Sequence, residues 1–159
     1  AELAGYGNTA DAFHFTAPEP QGDGMIRVMR AALKDAGLDS RDIGYINAHG
    51  TSTVLNDKIE STAILAVFGE NSKHLKVSSI KSMIGHLLAA AGAVEFVSTV
   101  MSISTGDLPP TINYENPDPE CPLDYVTGGV ESVDLEAALS NSFGFGGGNA
   151  CLVVKKYED

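Results

Sequence analysis

Three short segments gather the side chains with the most chemical potential. They are Asn47-Ala48-His49-Gly50-Thr51-Ser52-Thr53, Ser79-Ile80-Lys81-Ser82-Met83-Ile84-Gly85-His86 and Asn141-Ser142-Phe143-Gly144-Phe145-Gly146-Gly147-Gly148-Asn149. A lone histidine is more often a structural hydrogen bonder than a catalyst. His49 and His86 carry more weight as a pair, because each follows a short apolar strand and precedes a helix. Ligands of open α/β sheets bind at the carboxyl ends of strands, so both imidazoles are expected to face one pocket. Neutral imidazoles there donate N–H bonds to a thioester or carboxylate oxygen. Lys81 reads either as a solvated loop lysine or as a fixed positive charge that orients His86 and pairs with Glu95. A buried carboxylate needs such a partner.

The glycines from Gly144 to Gly148 serve a tight hairpin or let the backbone approach a developing oxyanion. They are not a nucleotide-binding loop, since they join two strands and open no helix. Neither Cys121, in a Pro-rich loop, nor Cys151, in an apolar strand, has the helix N-terminus or cationic neighbour that makes a reactive thiolate. No metal site is expected.

These segments need elements to hold them. Ala1 to Tyr6 reads as a strand and Gly7 to Gly24 as a long loop. From Asp23, Met25, Val28, Met29, Ala32, Leu33 and Ala36 share one helical face, and Gly37 supplies the stop. Ile43 to Asn47 and Leu75 to Ser78 are short strands. A helix is expected over Val54 to Phe68, with Asp57 and Glu60 near its positive end. Ser79 to Gly85 reads as a loop. Leu87 to Ile103 is apolar nearly all round, with Glu95 its only charge, and is expected as a fully buried core helix rather than a membrane span. After the Pro-rich 108–122 connection, Ala137 to Ser142 and Ala150 to Lys156 read as strands. The order β-α-β-α-β-α-β-β implies an α/β domain with a mixed sheet flanked by helices.

The composition agrees with one globular domain: 43% of the 159 residues are hydrophobic and 19% charged. A formal net charge of −11 disfavours a nucleic-acid partner, which needs a basic face. An acidic partner would need a local basic patch or another chain. The first residues carry no signal-peptide pattern and read as a chain already inside a fold. Two widely spaced cysteines suit a reducing cytoplasm.

The histidine segment with Asn56-Asp57-Lys58, the run Lys81 to Glu95, Pro109-Pro110-Thr111-Ile112-Asn113 and Asn141 to Gly147 occur in an order that resembles the type II β-ketoacyl-acyl carrier protein synthases. The resemblance extends from Gly5 to Lys156. Polyketide relatives usually read His-Gly-Thr-Gly-Thr where Ser52 stands here, and chain-length-factor relatives usually lack the histidine.

The resemblance implies a thiolase-like fold of two similar halves, dimerised, of which this is the carboxyl-terminal one (1–159). It implies a decarboxylative Claisen condensation of malonyl-acyl carrier protein with an acyl group on a cysteine of the amino-terminal half. That cysteine has no counterpart here, so this chain alone is expected to be inactive. His49 and His86 would stabilise the enolate, and Lys81, supported by Glu95, would orient His86. The Phe145 N–H would join an oxyanion hole while its ring gates the pocket. Thr51 and Thr53 would hold the phosphopantetheine arm beside Phe143, with Asp57 and Asn149 in support. Asp11 and His14 would lie on a mobile loop.

The partners implied are acyl carrier protein and the amino-terminal half, with no separate cofactor, no membrane and no nucleic acid. A non-catalytic scaffold, a polyketide-type half and a coenzyme A thiolase are the other readings. The last lacks its Cys-Gly-Gly loop here. Against the pattern of the β-ketoacyl-acyl carrier protein synthases, Gly148 stands where Thr or Ser is usual and Val54 where Pro is common.

Overall fold

The computed structural model describes residues 1–157. Its central sheet has six strands in the order β1-β8-β7-β2-β3-β5. These are β1 (Glu2–Ala10), β2 (Tyr45–Asn47), β3 (Lys76–Ser78), β5 (Asp124–Tyr125), β7 (Ala137–Phe143) and β8 (Gly148–Lys155). β7, β2, β3 and β5 run parallel, while β8 is antiparallel to both β7 and β1. A small ribbon pairs β4 (Asp107–Leu108) with β6 (Glu131–Ser132). The mixed sheet and thiolase-like architecture expected from the sequence are present.

Alternation along the strands explains the layers. Ile46, Leu139 and Val153 turn to one face, where they meet Met25, Val28 and Met29 of α1 (Asp23–Ala36) and Ala63 and Ile64 of α2 (Asn56–Phe68). Tyr45, Ala138 and Val154 turn to the other face, against Ile103, Phe96 and Val100 of α4 (Ala91–Thr105). Side chains with period 2 on strands thus feed two separate cores. α1 ends as expected at Gly37 (φ 66°), where Gly37 N–H and Leu38 N–H donate back to Lys34 O and Leu33 O.

Three expectations need correction. Gly7 to Ala10 is strand rather than loop, pairing with Cys151 to Gly148. Its glycines are there for packing: a Cβ at Gly5 or Gly7 would lie 2.4 Å from Ala32 O or 2.3 Å from Val28 O on α1. The segment Ser79 to Gly85 contains a short helix, α3 (Lys81–Ile84).

The third concerns α4, which is not buried all round. Its inward face carries Glu95, Thr99, Ser102 and Ile103, while Val94, Val97 and Met101 are 38%, 56% and 60% exposed. At 15 residues it is about 22 Å long, short of the ~30 Å of a bilayer core. Leu88–Thr105 is long and apolar enough to be a candidate span on composition alone, yet its single carboxylate is bonded into the protein.

Candidate active site

The carboxyl ends of β2, β3 and β7 bring the three segments together. β2 ends at Asn47 and β3 at Ser78, in register with each other and, through β2, with Ser140 of β7. His49 follows β2 by two residues and is buried. His86 follows α3 and is exposed. Their ring centroids lie 5.5 Å apart, nearly edge to face at 83°, and Phe143 stands 5.8 Å from His49. Both imidazoles line one cleft of about 1070 Å³, together with Thr51, Thr53, Phe143 and Phe145.

Tautomers follow from the donors around each ring. Lys81 Nζ lies 3.4 Å from His49 Nδ1, and an ammonium can only donate. The Leu88 N–H donates to His86 Nδ1 at 3.1 Å. Each ring therefore carries its proton on Nε2, which assigns two Nε2–H donors to the site. Burial, then Lys81, then His86 push the His49 imidazole down to about 3 from its ordinary 6.5. It stays neutral at physiological pH.

Lys81 meets one of the two expectations for it, the pairing with Glu95, which is a buried ion pair. Its recorded ring contact is to His49, not His86. The reason is position: Lys81 begins α3 next to the β2–β3 strand ends, whereas Gly85 (φ 73°) swings His86 out of that helix. Glu95 Oε2, Asn47 Oδ1 and Asn141 Oδ1 are buried oxygens with no hydrogen-bond partner among the described residues. All three are acceptors.

Glu60 was read only as an acid near a helix start, and it proves to be the support beneath the first histidine. Its Oε1 accepts from His49 N–H at 3.0 Å and its Oε2 from Gly50 N–H at 2.9 Å. Asn141 and Asn56 amides complete the set at 3.3 and 3.2 Å. Burial raises this carboxyl above its usual range, and the Gly50, His49, Asn141 and Asn56 donors oppose that. The available signal was its place among Ile59, Ala63 and Ile64 on the apolar face of α2. Gly50 is required by close approach, since a Cβ there would meet Ser79 Cβ at 2.5 Å. Ser52 (φ 58°) and Leu88 (φ 51°) hold left-handed backbone beside the two histidines, a form of strain that collects at functional sites.

The remaining candidates divide. Thr51 and Thr53 hydroxyls meet at 2.9 Å on the cleft wall. Asp57 Oδ1 accepts from Ser52 N–H and from the Asn56 amide, shaping that loop. Phe145 is 85% exposed on the tip of the glycine turn, and no acceptor for its N–H is recorded among the described residues. Asn149 Nδ2 donates to Asp11 Oδ1 at 2.6 Å, and Asp11 N–H donates to Gly147 O at 2.9 Å. Asp11 lines the cleft. His14 is exposed, stacked on Phe15, and is not among the residues that line it. Cys151 is buried, and burial pushes its thiol upward, so it offers no thiolate. Cys121 is half-buried and likewise shifted up by burial.

The likenesses to known proteins agree with this geometry. Residues 1–115 match the family described as "Beta-ketoacyl synthase, C-terminal domain". The chain is 53% identical over 158 residues to 3-oxoacyl-[acyl-carrier-protein] synthase 2 of Staphylococcus aureus (strain COL), covering 99% of this chain and 38% of that protein. It is 54% identical over 157 residues to the protein of the same name from Synechocystis sp., with the same coverage. Thus the chain spans about two fifths of the length of these relatives.

Among solved structures, a β-ketoacyl synthase from Burkholderia phymatum STM815 superposes with a TM-score of 0.93 at 41% identity, over 99% of this chain and 38% of that one. A type II polyketide ketosynthase in complex with its acyl-carrier protein gives 0.96 at 42%, over 99% and 39%. Fold, site and both kinds of likeness converge, and the chain belongs to the β-ketoacyl synthase family, as a carboxyl-terminal domain of that family.

Proposed function

We propose that this chain supplies the decarboxylation half of a fatty-acid condensing site, acting on malonyl-acyl carrier protein. The observation that carries the reading is that His49 and His86 line one cleft, each with a donor against its Nδ1, which leaves Nε2–H as the ring's free donor. In the reaction the bond between the malonyl carboxylate and Cα breaks and carbon dioxide leaves. The electron pair passes to the thioester oxygen as an enolate, which the two N–H groups stabilise. The enolate carbon then attacks an acyl thioester, and that cysteine leaves as thiolate. The Phe145 N–H donates to the oxyanion formed in that attack.

The cysteine belongs to an amino-terminal half that the relatives' greater length accommodates. Exposed Met83, Ile84, Leu87, Leu88, Val94, Val97 and Met101 are the surface against which that half packs. The substrate arm is the phosphopantetheine of acyl carrier protein, with no other cofactor, and the assembled enzyme is a cytoplasmic homodimer. Unpaired Cys121 and Cys151 fit a reducing compartment. The 53% identity to proteins named 3-oxoacyl-[acyl-carrier-protein] synthase 2 supports the fatty-acid reading, while among solved structures the polyketide ketosynthase and the β-ketoacyl synthase stand level at 42% and 41%.

The test is condensation of an acyl group with malonyl-acyl carrier protein by this chain combined with the cysteine-bearing half. His49→Ala or His86→Ala is expected to lower the decarboxylation rate by about 10² or more. A combined enzyme that elongates equally well without either histidine would refute the reading.

A further inference from the structure

Beside Ile103, the inward face of α4 buries three polar side chains, Glu95, Thr99 and Ser102. Thr99 is fully buried on it, one turn after Glu95. Its hydroxyl donates to Glu95 O at 2.8 Å. The same oxygen accepts from Asn47 Nδ2 at 3.3 Å, and the amide's other contact is Glu95 O at 3.1 Å. Asn47 is the last residue of β2, two before His49. A three-way junction thus ties the strand that delivers His49 to the helix turn that delivers Glu95, and Glu95 holds the Lys81 ammonium against His49 Nδ1.

We infer that Thr99 is a positioning residue: through Asn47 and Glu95 it sets the place of Lys81 beside His49 and so the tautomer that presents Nε2–H to the cleft. Thr99 touches no reacting group itself. A simple packing role would need only its shape, which valine shares. The hydroxyl is used twice, as donor and as acceptor, and only a hydroxyl satisfies both. The charged and titratable groups facing His49 are Lys81 and His86 at the ring and Glu60 at the backbone N–H, with Glu95 behind Lys81. Of these only Glu95 shares α4 with Thr99, and it meets the ring through Lys81.

The inference deepens the condensing-enzyme reading, but its test does not need turnover. In the full-length protein, the His49 ring nitrogens are followed by NMR against pH in wild type, Thr99→Val and Thr99→Ser. The expected result is that Thr99→Val raises the His49 midpoint by about one pH unit as Lys81 moves off. Thr99→Ser, which keeps the hydroxyl, is expected to leave the midpoint in place. Where Thr99→Val does not fold, Thr99→Ala takes its place in the same comparison. An unmoved midpoint in the folded hydroxyl-free variant overturns the inference, as does an equal shift in Thr99→Ser. Failure of the functional reading shows separately, as an absence of condensation in the wild type.

Discussion

Lys81 Nζ stands 3.4 Å from His49 Nδ1 while its charge is balanced by Glu95. An ammonium this close forbids a proton on the facing ring nitrogen. The ion pair therefore acts on chemistry through the imidazole and needs no contact with substrate.

The first prediction concerns pH. The unfolded chain protonates His49 near 6.5, whereas the folded chain resists until about 3. Stability linked to His49 is therefore complete above pH 6.5 and declines as pH falls from 6.5 toward 3. The slope is at most about 1.4 kcal/mol per pH unit for one proton. Buried Glu60, with its raised carboxyl, works in the opposite sense on acidification, so wild type must be compared with His49→Gln to isolate the effect. Urea unfolding across this range is expected to show the wild type losing its advantage toward acid. Parallel curves for the two proteins would contradict it.

The buried ion pair gives a second. Lys81→Met alone or Glu95→Leu alone leaves one uncompensated charge at a site with 5% and 2% side-chain exposure. Each single change is expected to cost about 3–5 kcal/mol, and the double change much less than their sum. Denaturant midpoints of the four proteins measure this cycle. Simple additivity would mean the two charges do not depend on each other.

Gly148 is the third. Gly146 and Gly147 need their φ of 84° and 75°, but Gly148 has no positive φ, and a Cβ there meets nothing within 4 Å. Its glycine adds freedom to the turn that carries Phe145. Gly148→Ala is expected to raise stability by about 0.4–1 kcal/mol and to slow amide exchange from Gly144 to Gly148. Gly128→Ala, an equally open site elsewhere, is the control and leaves that exchange unchanged. Unaltered exchange in Gly148→Ala would show that the turn's mobility does not depend on this residue.

The outward face of α4 supplies the fourth. Val97 and Met101 are more than half exposed, one turn apart. Val97→Glu with Met101→Lys is expected to reduce self-association and apolar-dye binding by this chain alone, and to weaken its assembly with a cysteine-bearing half. Sedimentation and dye fluorescence read both effects. Unchanged assembly would place the partner half elsewhere.

What the residue order determined alone was the periodic and the punctuated. The α1 stripe from Met25 to Leu33 with its stop at Gly37, the paired strands around the glycine turn, and the two histidine segments are all set by local spacing. Tertiary structure decided whatever depended on a neighbour distant in sequence. Gly5 and Gly7 look like loop residues until α1 lies across them and leaves no room for a side chain. α4 reads as buried all round because apolar residues do not reveal which of them will find a partner, and Glu95 and Thr99 turned inward because Lys81 and Asn47 were waiting there. Glu60 became the anchor of the first histidine loop only when the end of β2 delivered two backbone N–H groups to its carboxylate. Hydrogen bonds between residues 10 to 50 positions apart leave no periodic trace, so the chemical residues were legible and the partner of each one was not.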